Sequence, residues 1–474
     1  MKRIQHVLFR NVPEKWHERA DIIVVGSGFA GLAAAAEAAG LGARVVILEK
    51  MRRYGGNSLI SGGGYASWDS KLHLRQRLGL GEDSSGQHNE DTLKGGDRYN
   101  IPALVEIMTK HAPAGLDWLM DAGAEFLETL PRLGGHSAHR SHHSVNHGRG
   151  ITEPLKRLAL SRGVELRTNA PVTAILRRDD EGPVLGVQVA SADDKKNIRS
   201  KALVLASGGF ARDIPMRLDY NPALVAAYNC TNHKNATGEV IRYAREIGAD
   251  VLHMEFIQLY PCANPKNGSI DNCALPPYAG TGYGLFYVLK SGKRFVNELD
   301  RRDVVSDAQI KSGSKPTYAI LNGDIFTKLA VTQEEVSAGI KAKRIIEGST
   351  IRELAQKSGI SMDSLETTVS LHNRYIVDGK DPDFNKPISQ NMIPIVRPPF
   401  YGVAQWPAIH FCQGGLRIDT EARVIDICGR PIQGLYAAGE VCGGVHGSNR
   451  LGGNAITDCI VFGRIAGINA ATGK

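Results

Sequence analysis

The run Asp21-Ile-Ile-Val-Val-Gly26-Ser-Gly28-Phe-Ala30-Gly31, followed eighteen residues after Gly31 by Glu49, constrains this chain more than any other stretch. An apolar strand that ends in GxGxxG and feeds an alanine-rich helix is the arrangement that binds dinucleotides. Gly26 lets the chain leave the strand in a tight turn, Gly28 lets backbone approach a pyrophosphate, and Gly31 lets the helix pack closely on the sheet. The helix N-terminus then offers free N–H groups to phosphate oxygens. A second strand with the β-branched run Val45-Val46-Ile47 delivers Glu49, which can accept from an adenosine ribose hydroxyl, with Lys50 beside it. The glycines alone would be weak; strand, glycines, helix, second strand and acid in that order are not.

A chain of 474 residues divides into two or three domains. With 42% hydrophobic and 22% charged residues it reads as an ordinary globular protein. The formal charge of +8 suits an anionic substrate, but Lys and Arg are scattered and no basic tract resembles a nucleic-acid arm. Met1-Lys-Arg is positive, yet Ile4-Gln-His-Val-Leu-Phe-Arg-Asn forms no uninterrupted apolar stretch of signal-peptide length. No segment reaches the ~18 apolar residues of a membrane helix. The seven cysteines are odd in number and include no CxxC pair, which leaves a disulfide framework, a zinc site, an iron–sulfur cluster and haem attachment unsupported. The expected compartment is reducing and cytoplasmic.

Strand-like and helix-like segments alternate from Asp21 to about Asp250, an α/β layer pattern. The strand Ala202-Leu-Val-Leu-Ala-Ser207-Gly208-Gly209 ends in glycines, and so does Gly434-Leu-Tyr-Ala-Ala-Gly439-Glu440. Between them, residues 255–410 change texture, with Pro- and Gly-rich loops and then helices. One helix is bracketed by Thr350 and Glu353 as a capping box and by Gly359 as a stop. The expectation is a nucleotide-binding domain split into 1–254 and 411–474 by an inserted second domain, 255–410.

Two further glycine turns, Gly55-Gly56-Asn57-Ser58 and Ser61-Gly62-Gly63-Gly64, favour a flavin over a nicotinamide, because they can lay backbone N–H groups along a pyrophosphate and an isoalloxazine. With these loops, Gly292-Lys-Arg-Phe-Val-Asn-Glu298 and Glu440-Val-Cys-Gly-Gly-Val-His446-Gly-Ser-Asn449-Arg450-Leu-Gly-Gly453-Asn454-Ala455-Ile456, the chain resembles the fumarate reductase/succinate dehydrogenase flavoprotein family. The likeness is to its soluble flavocytochrome c branch and runs from about residue 20 to the end. It implies an α/β protein with a split Rossmann-like FAD-binding domain and an inserted α+β capping domain, substrate being held between cap and flavin. Where membrane-bound relatives carry the flavin on a histidine this chain has Asn57, so non-covalent FAD is expected. The resemblance assigns the ribitol to Glu440 and the helix start at Asn454 to the flavin pyrimidine, where the positive helix end favours the anionic reduced flavin. Val172, Ser207, Gly208, Gly439, Gly453, Ala455 and Ile456 complete the expected cofactor contacts.

In the family, flavin N5 gives hydride to one alkene carbon, an arginine protonates the other, and cationic and histidine side chains hold a carboxylate. Arg450 falls on the carboxylate-binding arginine, where its planar fork suits bidentate binding. Arg302, in Asn297-Glu-Leu-Asp-Arg-Arg302-Asp303, falls on the proton donor, the plain alternative being that it binds substrate charge. Departures from the pattern matter as much. Tyr278 and Thr281 stand where the fumarate reducers keep a proton-feeding Glu and Arg. Tyr260 and Phe411 stand where two histidines hold a dicarboxylate, leaving His410 one place before Phe411. A bulky or aromatic substrate with one carboxylate or carbonyl is therefore expected, and Tyr278 or Tyr260 competes with Arg302 for the proton.

His136, His139, His142, His143 and His147 match no metal spacing and are expected to line a loop or pocket; no metal is expected. The leading expectation is an FAD-dependent reductase of an activated C=C bond in a 2-enoate or enone, served by an external electron donor or acceptor. A dehydrogenase or oxidase that introduces a C=C bond next to a carbonyl, of steroid or tricarballylate type, is the alternative. A third reading is an electron-transfer flavoprotein subunit of a larger complex.

Overall fold

The computed structural model describes residues 12–190, 195–271, 273 and 275–473. Segment 1–11, on which the leader reading rests, lies outside the described residues. In chain order the strands of the two principal sheets are β1 (Ile22–Val25), β2 (Val45–Leu48), β3 (Glu165–Arg167), β4 (Ala202–Leu205), β5 (Ile257–Ala263), β6 (Phe286–Val288), β7 (Thr317–Asn322), β8 (Ile345–Gly348), β9 (Phe400–Cys412), β10 (Arg423–Ile425) and β11 (Pro431–Ala437).

The first sheet runs β10-β11-β4-β1-β2-β3, parallel throughout except for the β10 edge. Such a sheet is covered on both faces, so its strands read as apolar runs without alternation. All four residues of β1, and all four of β2 and β4, are buried. Strand order reverses at β1, with β2 on one side and β4 on the other, and ligands of open α/β sheets bind at the carboxyl ends of such a switch point. Every predicted cofactor motif of this sheet lies at that edge: Gly26 after β1, Glu49 after β2, Ser207 and Gly208 after β4, and Gly439 and Glu440 after β11.

Helix α1 (Phe29–Gly40) covers one face, and the C-terminal helix packs along it; this is α6 (Asn454–Thr472), α2 to α5 falling between them in the chain. The crossing is close because glycine meets alanine: a Cβ on Gly467 would stand 2.2 Å from the Ala34 carbonyl oxygen. The two helices therefore run side by side, Gly463 and Gly467 of α6 lying against Ala30 and Ala34 of α1. A four-stranded sheet, Glu18–Arg19, Val172–Arg177, Val184–Ala190 and Lys195–Arg199, flanks this layer and begins its second strand at Val172.

The second sheet runs β5-β9-β7-β6, with β8 also on β9. Its core includes Phe286, Tyr287, Ile320, Leu321, Leu354 and Val403, and apart from Leu133 the buried members of that cluster come from residues 260–408. The 13-residue β9 reaches from this core into the first, since Val403 and Ala408 belong to one cluster and Ile409 and Cys412 to the other. Helices α2 (Leu275–Ala279), α3 (Arg302–Ser312), α4 (Gln333–Lys341) and α5 (Ile351–Ser358) surround it. Thr350 caps α5 as expected and Gly359 ends it, but only half of the box forms: Glu353 turns to the Ser349 N–H at 2.7 Å instead of to Thr350. The complete box is at Thr332 and Glu335, at the start of α4.

Candidate active site

Backbone shapes the floor of the site. Gly26 has φ +105°, and a Cβ there would stand 2.4 Å from the Ala206 carbonyl oxygen; one on Gly31 would stand 2.0 Å from that of Gly26. No side chain caps α1, whose N-cap is Gly28, and Ser58 reaches it only to accept the Phe29 N–H at 2.9 Å. The first turn of α1 from Phe29 through Ala30 thus faces Ser58 in the short helix Gly56–Leu59. Glu49 is buried and accepts from the Ser27 hydroxyl at 2.5 Å and the Met51 N–H at 2.9 Å, so the carboxylate is held in place at the end of β2. Lys50 is committed elsewhere, to Thr237 at 3.0 Å and to Glu239. Ser207 Oγ and Asn232 Nδ2 are buried polar atoms without a hydrogen-bond partner among the described residues, as a cradle awaiting a polar ligand would leave them. These residues fit a dinucleotide whose phosphates lie at the α1 N-terminus and whose ribose meets Glu49.

The floor opens into a cavity of about 170 Å³ lined by Asn57, Ser58, Gly63, Gly64, Glu440, Gly453, Ala455 and Ile456 from the cofactor side. Gly56 precedes Asn57 at the head of the same short helix. Asn57 spends its carbonyl oxygen on the His233 N–H at 2.8 Å. Asn454 turns inward, donating to Thr92 Oγ1 at 3.0 Å and meeting His88 Nε2 at 2.9 Å, so the α6 N-terminus presents backbone to the cavity. Burial pushes the Glu440 carboxyl up to about 7, although the Cys412 N–H donates to it at 3.0 Å.

Side chains shape the opposite wall. Arg302, Arg450, Tyr260, Tyr278, His410 and Phe411 all line the same cavity. The adjacent Arg301 is fully engaged, pairing with Asp97 and, at 2.6 Å, with Asp303. Arg302, at the first turn of α3, is 6% exposed and Arg450 4% exposed, and neither meets a carboxylate within 4 Å among the described residues. Each keeps a buried Nε without a partner among the described residues. Aromatic rings stand against them instead: the Arg302 guanidinium lies 4.3 Å from the Tyr278 ring centroid and 5.0 Å from that of Tyr260, and Arg450 lies 4.7 Å from that of Phe411. Desolvation, and then the charge of Arg302, moves the Arg450 guanidinium well below its ordinary range. Burial likewise raises the Tyr260 phenol. Burial and the two arginines keep His410 a neutral imidazole, and its Nδ1 meets Thr231 Oγ1 at 2.8 Å. The Tyr278 hydroxyl is buried without a partner among the described residues.

Strand pairing explains how His410 and Phe411, neighbours in sequence, both reach the cavity. Gln258 pairs with Phe411 and Leu259 with Ile409, so His410 is the extra residue of a β-bulge, the device that re-aims a side chain beside a site. The same register brings Gln258 between the arginines: its amide oxygen accepts from Arg302 at 3.3 Å, and its Nε2 donates to the Arg450 carbonyl at 2.8 Å and to Asn449 at 2.6 Å. Gln258, Thr231 and Asn232 were not among the sequence candidates; nothing in the local pattern marks them, because cross-strand register supplies their position. Thr281, expected in the pocket, is fully buried, donates to the Tyr278 carbonyl at 2.9 Å, and does not line the cavity.

The histidine run folds inward. His136 meets the Gly452 carbonyl at 2.7 Å and Arg140 at 3.2 Å, His139 meets the Leu130 carbonyl at 2.9 Å, and His143 alone of the run reaches this cavity. Among the described residues no group of three His, Cys, Asp or Glu side chains is placed to hold a metal ion, and no helix is long and apolar enough to cross a membrane.

The FAD binding domain family profile matches residues 21–456. The urocanate reductase of Eggerthella lenta is 36% identical, over 97% of this chain and 76% of that protein. The acrylate reductase flavoprotein subunit of Shewanella woodyi is 34% identical, over 95% and 91%. Among solved structures, the open conformation of a flavocytochrome c3 fumarate reductase superposes with a TM-score of 0.74 at 34% identity, covering 96% of this chain and 79% of that one.

Proposed function

From the premise that the chain belongs to the FAD binding domain family, and is an FAD-dependent oxidoreductase acting on CH–CH bonds, we propose that it reduces the activated C=C bond of a 2-enoate bearing one carboxylate. One observation carries the reading. Two buried guanidiniums, Arg302 and Arg450, share a cavity with the cofactor floor, meet no carboxylate among the described residues, and are walled by three aromatic rings. Buried charges left unpaired cost several kcal/mol each, and a substrate carboxylate removes that cost while the rings accept an apolar body.

FAD held by the α1 N-terminus, Glu49, Ser58 and Glu440 and reduced by the external donor would supply the hydride, a proton with two electrons, to one alkene carbon. Arg450 holds the carboxylate in its planar fork, which draws electron density from the double bond and stabilises charge developing next to it. Arg302 holds the proton for the second carbon, oriented by Gln258. The Arg302 guanidinium lies over the Tyr278 ring, whose buried hydroxyl has no partner among the described residues and is the alternative source of the proton. Neutral His410 positions the substrate as a hydrogen-bonding group without adding charge.

Asn57, a non-nucleophilic amide whose oxygen is already bonded, supports non-covalent flavin. The separate core drawn from residues 260–408 supports a cap spanning 255–410 over a cofactor domain of 1–254 and 411–474. Electrons come from an external donor, and seven unpaired thiols support a reducing, cytoplasmic setting.

The test is anaerobic oxidation of reduced viologen by FAD-loaded protein with acrylate, methacrylate, cinnamates, urocanate, cyclic enones and fumarate, beside dye reduction with the saturated counterparts. Rapid turnover of a monocarboxylate enoate, with fumarate poor, is expected. Dye reduction alone would replace the reading by a dehydrogenase, and silence in both assays would refute it in favour of a partner-dependent electron-transfer subunit.

A further inference from the structure

A second chamber of about 660 Å³ adjoins the candidate site. It shares Ile60, Ser61, Gly62, His143, Ile270 and Leu275 with the first cavity and continues between the cofactor side and the cap sheet's surroundings. Its size falls within the ~300–1,000 Å³ typical of small-molecule sites. Leu127 and Val145 on one wall and Leu329 and Val331 on the other are only half-buried, and Ile60, at the junction, is 46% exposed although it sits in the cleft. Most of the chamber's acidic and hydroxyl groups are engaged within the protein, whereas His143 Nδ1 and the exposed Arg149 have no partner among the described residues. Asp271 is paired with Arg344 at 2.8 Å, Glu335 closes the Thr332 capping box and lies 3.8 Å from His147 Nε2, and Ser144 donates to the His147 carbonyl. Beside His143 and Arg149, the walls present the apolar side chains of Ile60, Leu127, Val145, Leu329 and Val331.

We propose that this chamber is a tail-binding subsite, and that the substrate is an elongated 2-enoate whose carboxylate lies at Arg302 and Arg450 while an apolar alkyl or aryl tail passes Ile60 into it. This rests on the reductase reading and names its substrate class. A carboxylate fixed at one end sets the register, and tail burial then adds affinity in proportion to the apolar area removed from water. The His147–Glu335 pair spans the two sides of the chamber and bounds the length of tail it takes.

The experiment is a chain-length series, crotonate, 2-hexenoate, 2-octenoate and 2-decenoate, followed by viologen oxidation with the FAD-loaded protein, and in parallel by calorimetric binding of the saturated acids. kcat/KM is expected to rise about fourfold per methylene, equivalent to ~0.8 kcal/mol per buried CH₂, until the chamber is filled. Val331→Trp and Leu127→Trp, bulky substitutions on opposite walls, should bring the octenoate-to-crotonate ratio toward one and weaken decanoate binding. A flat or falling series in the parent protein, with crotonate turned over, overturns the subsite and leaves the reductase reading intact. Failure to turn over any enoate overturns the reductase reading, and in that case loss of decanoate binding in both tryptophan variants still supports the chamber whereas unchanged binding rejects it. A length preference that survives both substitutions also rejects it.

Discussion

The floor and the wall of the cavity are built from different materials. The floor is backbone: glycines at the carboxyl edge of the parallel sheet, two uncapped helix starts, and carboxylates held by N–H groups. The wall is side chain: two arginines, three aromatic rings and an imidazole, delivered by α2, α3, the paired strands β5 and β9 and the loop before α6. A backbone site tolerates almost no change, because a single Cβ has nowhere to go. A side-chain site can exchange chemistry while its frame is kept, so Tyr260 and Phe411 are positions where the wall can change over the same floor.

That contrast is sharpest if mutations dissociate flavin binding from turnover. The largest effect is expected for Gly31→Ala, whose Cβ would press on the Gly26 carbonyl at 2.0 Å with no mobile side chain to yield. Bound flavin and all activity should be lost, as read by the visible spectrum of the purified protein. Arg302→Ala should come next, lowering kcat on the order of 10³-fold, within the range for a positioned proton donor, while the flavin spectrum stays that of the parent. Substantial activity in that variant would remove Arg302 from the chemistry and leave Tyr278 as the donor. If Gly31→Ala kept its flavin, or Arg302→Ala lost it, floor and wall would not be separable.

Glu440 tests the floor alone. Burial raises its carboxyl from an ordinary value near 4.5 to about 7, so between those pH values the folded protein holds a proton that the unfolded chain releases. Its contribution to stability therefore falls as pH rises through that window, by roughly 3 kcal/mol in all. Glu440→Gln keeps the neutral shape at every pH. The melting temperature of the flavin-free variant should match the parent near pH 5 and exceed it progressively toward pH 8, and a constant difference would mean that Glu440 is ionised in the folded protein throughout.

The floor was legible in the sequence and the wall only partly so, for one physical reason. Gly26, Gly28, Gly31 and Glu49 act within thirty residues, through local turns and a helix start, and leave a spacing that can be read. Arg302 and Arg450 were found through motif position, but their shared bridge, Gln258, depends on β5 meeting β9 some 150 residues later, and His410 depends on a bulge in that pairing. Thr281 was expected in the pocket because, with Tyr278, it falls at a position where the family keeps a proton-feeding residue; the helical turn between the two sends Tyr278 to the cavity and Thr281 to the Tyr278 carbonyl. Pattern reports local geometry well, but register between distant strands leaves no trace in it.

The smallest predicted effect probes how far the wall can be rewritten. Phe411 packs its ring under the Arg450 guanidinium and edge-on to His446, with centroids 5.4 Å apart. Phe411→His exchanges a ring that only stacks for one that also donates, beside the arginine proposed to bind one carboxylate. A hydrogen bond to a charged group contributes about 1.5–3 kcal/mol, so the fumarate-to-cinnamate ratio of kcat/KM should rise on the order of tenfold. The rise should appear mainly in KM for fumarate, because the added donor meets the second carboxylate in ground state and transition state alike. An unchanged ratio would show that selectivity against dicarboxylates lies beyond Phe411, in Tyr260 or in the shape of the cavity around it, and would move the chemically decisive part of the wall from β9 to β5.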